Sequence, residues 1–422
     1  MIPPILVLIL AGGKSGRLHA LGRMRTASAL PFGGKYRVID FTLSNCVHSG
    51  LNRIGILTQY APLSLQGHIG IGRAWDLDRR EGGVRLLQPY VRQRETNWYR
   101  GTADALVQNR NVIADAQARH ILVASGDLVY KMDYGPLIAR HEARGASLTI
   151  VTAEDRQDEP ERHGVVETNG SGRVLALRDR APDGAAAAVS ASIYLFRARE
   201  LEKRLSDPGL GPDLIQDMIR PMIAEGLPVF AQPIDAYWRD VGTINGFYEA
   251  NMDLLKPVPP LNLHDPDWLI YTPTEDRSPS LIGDEGEVTA SLVAHGARIE
   301  GSVCRSILFP GVHVERGAVV EDSIVMHDAR ILPRARVHRA IIDKLARIGE
   351  GAEVGVGEPV RHREHPHDLH AGLCVIGKRA EVPAGARIGR NSIVDYGVRE
   401  SDFARGDVPS GATVRARGGR AG

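Results

Sequence analysis

Between Val293 and Val398 aliphatic residues return at spacings near six, with glycine or alanine shortly before them: Val293, Ile299, Val312, Val319, Ile324, Ile331, Val337, Ile348, Val354, Val382, Ile388, Ile393 and Val398. Such a period belongs neither to a helix nor to a simple strand, and it requires a solenoid in which each repeat supplies one face of a triangular coil. The spacing predicts a left-handed parallel β-helix with the aliphatic residues turned inward and small residues at the corners. A β-sandwich would need period-two alternation and hairpin turns, which are scarce here. Gly357 to Gly372 interrupts the series and carries His362, His365, His367 and His370, with His338 nearby. Their irregular spacing reads as a solvated loop inserted into the solenoid, in preference to a metal site.

The first 250 residues follow another grammar. Short β-branched runs alternate with helical stretches, the pattern of a doubly wound α/β domain. Expected strands are Ile5 to Leu10, Arg53 to Thr58, His120 to Val123, Ser147 to Thr152, Ile193 to Phe196 and Val229 to Gln232. Helices are expected over Ala103 to Ala116 and over Pro212 to Ala224, the latter with proline in its first turn. The proline-rich interval 254–277 loses all periodicity and reads as a linker. The expected organisation is therefore an α/β domain over 1–253, the linker over 254–277 and the β-helix over 278–422.

Charge and cysteine content narrow the function. The 52 basic and 51 acidic residues leave a formal net charge of +1, so no global field draws the chain to nucleic acid or to an anionic membrane. Cys46, Cys304 and Cys374 are too widely spaced for a zinc knuckle or disulfide framework, which fits a reducing cytoplasm. The apolar run Ile2 to Leu10 has no basic leader and is too short to span a bilayer; it reads as a buried parallel strand.

Directly after that strand comes Leu10-Ala11-Gly12-Gly13-Lys14-Ser15-Gly16-Arg17-Leu18. Glycines at a strand end let backbone N–H groups approach a phosphate, which Lys14 and Arg17 can neutralise. The spacing matches neither the P-loop nor the dinucleotide fingerprint. Ser125-Gly126-Asp127 follows the expected strand from His120, at the sheet edge where open α/β folds bind ligands. Tyr237 to Thr243 presents a second acid, Asp240. Two convergent carboxylates can hold one magnesium ion against a triphosphate, whereas either alone is more often a turn or cap residue.

Taken in order, Gly33 to Phe41, Leu43 to Cys46, Thr58-Gln59-Tyr60, Asn97 to Ala105, Gly126-Asp127, Tyr130 to Tyr134 and Tyr237 to Thr243 resemble the ADP-glucose pyrophosphorylase family of sugar-nucleotide pyrophosphorylases. The resemblance spans nearly the whole chain, trailing β-helix included. It implies a Rossmann-like nucleotidyltransferase domain and the reaction of ATP with glucose 1-phosphate to give ADP-glucose and pyrophosphate, in glycogen synthesis. It further implies Mg2+ on Asp127 and Asp240, and the nucleotide at Ala11, Gly12, Gly13, Lys14, Gly101 and Asp104. Arg17 would meet the departing pyrophosphate, and Tyr99, Gly164, Asp179, Arg180 and Ser190 the sugar phosphate. Family members are regulated tetramers, so a homotetramer or a heterotetramer with a paralogous subunit is expected.

Several positions depart from the family pattern. The usual Gly-Gly-Arg-Gly-Thr-Arg-Leu has Lys14, Ser15 and Gly16 in its middle, and Arg-Ala-Lys-Pro-Ala becomes Arg25-Thr26-Ala27-Ser28-Ala29, which deletes a phosphate-binding lysine. Losing such a cation costs on the order of 10²- to 10³-fold in rate. Asp179-Arg180-Ala181 stands for Glu-Lys-Pro, Gly211-Pro212-Asp213 for Gly-Lys-Asp, and Met24 occupies the place of a lysine that binds effectors in some members. A guanidinium does not replace an ammonium neutrally. Three readings follow: an adenylyltransferase with an unusual site, a catalytically weak regulatory subunit that assembles with an active one, or a transferase for another base or sugar.

Overall fold

The computed structural model describes residues 4–89, 98–154, 164–179, 188–404 and 406–417. Contacts between Cα atoms divide the chain into two compact units. One comprises residues 1–13, 39–238 and 265–273; the other comprises 14–38, 239–264 and 274–422. The second unit thus takes in residues 14–38 and 239–264 along with the solenoid.

The first unit is built on a nine-stranded sheet. Its strands are β1 (Ile5–Leu10), β2 (Arg53–Leu57), β3 (Gly83–Leu87), β4 (His120–Ser125), β5 (Leu148–Glu154), β6 (Val165–Thr168), β7 (Val174–Arg178), β8 (Ala188–Arg197) and β9 (Val229–Pro233). The main path runs β7-β6-β8-β4-β1-β2-β3, with β5 paired to both β8 and β9. β4, β1, β2 and β3 are mutually parallel, whereas β8 is antiparallel to β4, β5 and β6. Val7, Leu8 and Ile9 are wholly buried because helices cover both faces, which is why β1 reads as an unbroken apolar run. All six expected strands are present; β3, β6 and β7 went unread, since Gly83–Leu87 and Val174–Arg178 carry exposed polar residues that blur their pattern.

Two helices differ from expectation. Ala103 to Ala116 is broken at Asn109 into Thr102–Gln108 and Arg110–Asp115, the Asn109 amide donating to the Ala105 carbonyl at 2.8 Å and to the Tyr99 hydroxyl at 3.0 Å. Pro212 lies outside its helix. Asp213 is the N-cap, its carboxylate accepting from Ile215 and Gln216 N–H, ahead of a π-helical run Leu214–Ile219 and the helix Arg220–Ala224. In the expected linker, residues 265–273 pack within the first unit: Trp268 and Tyr271 stack on His48, and the Lys131 ammonium meets Asp265 at 3.2 Å.

The second unit contains three parallel sheets of six, six and seven strands, the faces of a left-handed β-helix. Val314, Ile331 and Ile348 pair in register at intervals of 17 residues, and all three are fully buried. On two of the faces the inward residues include the expected Ile299, Ile331, Val337 and Ile348. At other positions the register slips by one: Val320, on the face of Val337, and Val325 and Val394, on the third face, enter the core in place of Val319, Ile324 and Ile393. On the third face the outward residues Ile307, Ile324 and Ile341 are buried as well. The 14–38 segment lies over that face, with its 16–22 turn against 374–376 and 393–394 and Gly34 beside Ile307. Covered on both sides, such a strand carries apolar pairs, and periodicity alone does not say which member points inward. The corners also depart from small residues, since Arg305, Asp322 and Arg339 stack there at φ 44°, 47° and 47°. Arg305 Nε donates to Asp322 at 2.8 Å, a contact between coils that holds this otherwise unfavourable backbone.

Candidate functional site

At the carboxyl end of the parallel strands Leu10 is in register with Leu57 on one side and Ser125 on the other. The three following segments, Ala11-Gly12-Gly13, Thr58-Gln59-Tyr60 and Gly126-Asp127, therefore leave the sheet side by side. Ala11 N–H donates to the Leu57 carbonyl at 2.9 Å and Gly126 N–H to the Leu10 carbonyl at 2.9 Å. The order of strands changes direction at β1, where open α/β sheets form a ligand crevice.

The two glycines serve different ends. A Cβ on Gly12 would lie 3.0 Å from Gln59 N, so a side chain there would press on the neighbouring strand end. A Cβ on Gly13 would meet nothing within 4 Å. Packing does not demand a glycine there, and its exposed backbone is open to whatever approaches the loop.

Gln59 ties this edge to the next motif. Its side-chain carbonyl accepts from Tyr99 N–H, and its amide donates to the Tyr99 carbonyl at 3.2 Å. Gly101 is extended, and a Cβ on it would meet the Pro212 carbonyl at 2.4 Å. That same carbonyl accepts from Ala103 N–H at 2.8 Å, so the backbone of residue 212 caps the helix whatever its side chain. Asp104 is nearly buried and accepts from Arg100 N–H at 3.0 Å, Arg100 Nη2 at 3.0 Å and Gln108 Nε2 at 2.9 Å. Burial pushes its carboxyl up, but these donors outweigh burial and hold it below the ordinary range. Its carboxylate thus braces the first turn of its own helix.

The residues expected around the sugar phosphate fall into two groups. Gly164, at φ 70°, accepts from Ser190 N–H at 2.9 Å, so the residue that leads into β6 neighbours Ser190 on β8. Ser190 is fully buried and its hydroxyl pairs with that of Tyr194 at 2.9 Å. Asp179 stands apart, exposed and ion-paired with Arg220 at 2.5 Å. Arg180 lies outside the described residues.

Asp127 accepts from the Ser125 hydroxyl, and within the second unit Asp240, nearly buried, accepts from Gly242 N–H at 2.6 Å. Each carboxylate is oriented by the residue two positions away. Lys14 and Arg17 are exposed, and Ser15 Oγ accepts from Ala27 N–H at 2.7 Å. The Ser15 side chain thereby ties down the altered Thr26-Ala27-Ser28 stretch, all three residues of which are buried.

Sequence reasoning missed the surroundings of Arg25. Its guanidinium donates to the Leu21 carbonyl at 3.0 Å and forms an ion pair with the fully buried Asp343. Lys344 is pushed down to about 7 by burial and by Arg37 and Arg25, and burial lowers Lys378 as well. Partners over 300 positions away leave no local signal in the chain.

Among the described residues no helix is long and apolar enough to cross a membrane. The nucleotidyl transferase family profile matches residues 6–257, and the profile described as GlmU-like, C-terminal hexapeptide matches 279–376. Similar curated proteins include the glucose-1-phosphate adenylyltransferase of Acetivibrio thermocellus, 38% identical over 97% of each chain. That of Thermotoga neapolitana is 40% identical over 98% of this chain and 99% of its own. That of Thermomicrobium roseum is 46% identical over 97% of each.

Proposed function

The chain belongs to the nucleotidyl transferase family and, within it, to the glucose-1-phosphate adenylyltransferases, and on that premise we propose that it joins ATP and glucose 1-phosphate into ADP-glucose, releasing pyrophosphate, for glycogen (α-glucan) synthesis. The observation that carries the reading is the gathering of Ala11-Gly12-Gly13, Gln59 and Asp127 at one carboxyl edge of the sheet, in a chain that is similar to adenylyltransferases along nearly its whole length.

A phosphate oxygen of the sugar attacks the α-phosphorus in line; the new P–O bond forms as the bond to the β-phosphate oxygen breaks, and pyrophosphate departs. Positioning and charge neutralisation dominate such a step. Nucleotidyltransferases of this type generally use a divalent metal. Magnesium is the ion proposed here, held by Asp127 and Asp240, and when bound it supplies charge neutralisation on the triphosphate. The open backbone of Gly13 admits a phosphate, and Lys14 and Arg17 offer exposed cations for the departing pyrophosphate. Ser190 and Asp104 act from within the fold: Ser190 through its bond to Gly164, Asp104 by bracing the helix that follows Gly101. Arg180, replacing a family lysine, is proposed to meet the sugar phosphate. A tetramer, alike or mixed, is proposed on the same membership, and light scattering of the purified chain tests it.

Pyrophosphate release by the purified chain with ATP, glucose 1-phosphate and magnesium tests the reading. Asp127→Asn is expected to lower turnover by about 10²- to 10³-fold or more. Equal rates in both proteins would remove Asp127 from the chemistry. ATP binding without turnover in either would bring back the regulatory subunit, which the similarity to curated adenylyltransferases does not specifically support.

A further inference from the structure

We propose that His19, His365 and Asp368 form a zinc site that pins the turn following Lys14 and Arg17 to the loop inserted in the β-helix. The Nε2 atom of His19 is 2.9 Å from Asp368 Oδ2, and one ligand atom from each of the three residues lies within 4.8 Å of the others. The rings of His19 and His365 are 4.2 Å apart between centroids. All three side chains are partly buried.

The site is braced from behind. His362 is 1% exposed, its Nδ1 accepts from the N–H groups of Glu364 at 3.2 Å and His365 at 3.0 Å, and its Nε2 meets Thr413 Oγ1 at 3.0 Å. With both nitrogens engaged, His362 is not a ligand; its ring stacks on His365 at 5.2 Å and orients it, as residues behind a metal ligand commonly do. Asp368 is fixed by its N–H, which donates to the His365 carbonyl at 3.2 Å. His19 itself has φ 44° and ψ −121°, a costly backbone for a residue with a Cβ, of the kind retained where a side chain must be aimed.

Two imidazoles and one carboxylate, with a fourth position open, suit zinc; magnesium and calcium prefer oxygen donors alone. A tetrahedral ion with bonds of about 2.05 Å separates its ligand atoms by about 3.3 Å, so the His19–Asp368 pair opens by only a few tenths of an ångström to admit it. The sequence hid the site because His19 and Asp368 are 349 positions apart.

The test titrates the untagged, EDTA-treated chain with Zn2+ against a chromophoric chelator in excess Mg2+. One equivalent is expected at micromolar affinity or tighter. His19→Gln and His365→Gln should each weaken binding by at least about 100-fold, beyond the 10- to 100-fold typical of a lost outer-shell partner. His367→Gln and Asp127→Asn should leave it unchanged. Substitution of Co2+ should give the intense visible bands of a tetrahedral ion in the wild type and not in His365→Gln, whose loop position makes misfolding an inadequate explanation. Less than one equivalent at micromolar free Zn2+, full affinity in His19→Gln, or equal weakening by His367→Gln would overturn the proposal; weakening by Asp127→Asn would place the zinc at the catalytic carboxylates instead.

Discussion

In the coils of the β-helix a buried aliphatic residue finds its partners 17 positions away on either side, as Ile331 does with Val314 and Ile348, whereas residues 14–38 find theirs across most of the chain: Arg25 with Asp343, Arg23 with Asp395, His19 with Asp368. Both regions belong to one compact unit. The coil is quasi-one-dimensional, so its stability is a sum of neighbouring repeats. The overlying segment adds individual polar contacts to its own buried apolar residues, among them Leu18, Leu21, Leu30 and Phe32. Departures from the family pattern at Lys14, Ser15, Gly16, Thr26, Ala27 and Ser28 fall in that segment, and those at Asp179 and Pro212 fall in the first unit, while the scaffold motifs remain.

The comparison is broken most directly by Arg25→Ala, which leaves the buried Asp343 carboxylate without its partner. Loss of one member of a buried pair costs about 3–5 kcal/mol. Chemical denaturation should show it, and a loss below about 1 kcal/mol would mean that the segment is held by other contacts. In the coil, Ile331→Ala removes a side chain packed between two repeats and should cost about 2–5 kcal/mol. A steep broadening of the unfolding transition would show that the coil unfolds in parts, as its one-dimensional contacts allow.

Ala27→Lys with Ser28→Pro restores the family pattern, and it should raise pyrophosphate release by up to about 10²-fold. No gain, with Ala27 N–H still able to reach Ser15, would show that the site works through Lys14 and Arg17 instead. A further outcome concerns Lys344 and the pH dependence of stability. Its unfolded form stays protonated to 10.5, while the folded form releases the proton at about 7. Between those values the folded state binds fewer protons, so stability rises with pH. Lys344→Met removes that slope: the variant should gain on the wild type at pH 7 and below, and the gain should shrink as pH climbs towards 10.5. Parallel stability curves would place the Lys344 ammonium in solvent.

The sequence by itself determined the two architectures and the elements that bear the site. Unbroken apolar runs placed β1 and its neighbours, and the six-residue period placed the solenoid, because both signals arise from contacts close along the chain or repeated at a fixed interval. It also placed Gly12, Gly13 and Asp127 at strand ends, where register alone brings them together. Tertiary structure decided the rest. Which of Ile324 and Val325 enters the core depended on a segment nearly 300 residues earlier that covers the outer side of that face. Whether Asp104 and Ser190 present their polar atoms outward depended on Arg100, Gln108 and Tyr194, which take those atoms up. A hydrogen bond or ion pair between distant residues has no period and no composition, so only the folded chain reveals that His19 meets Asp368 and Arg25 meets Asp343.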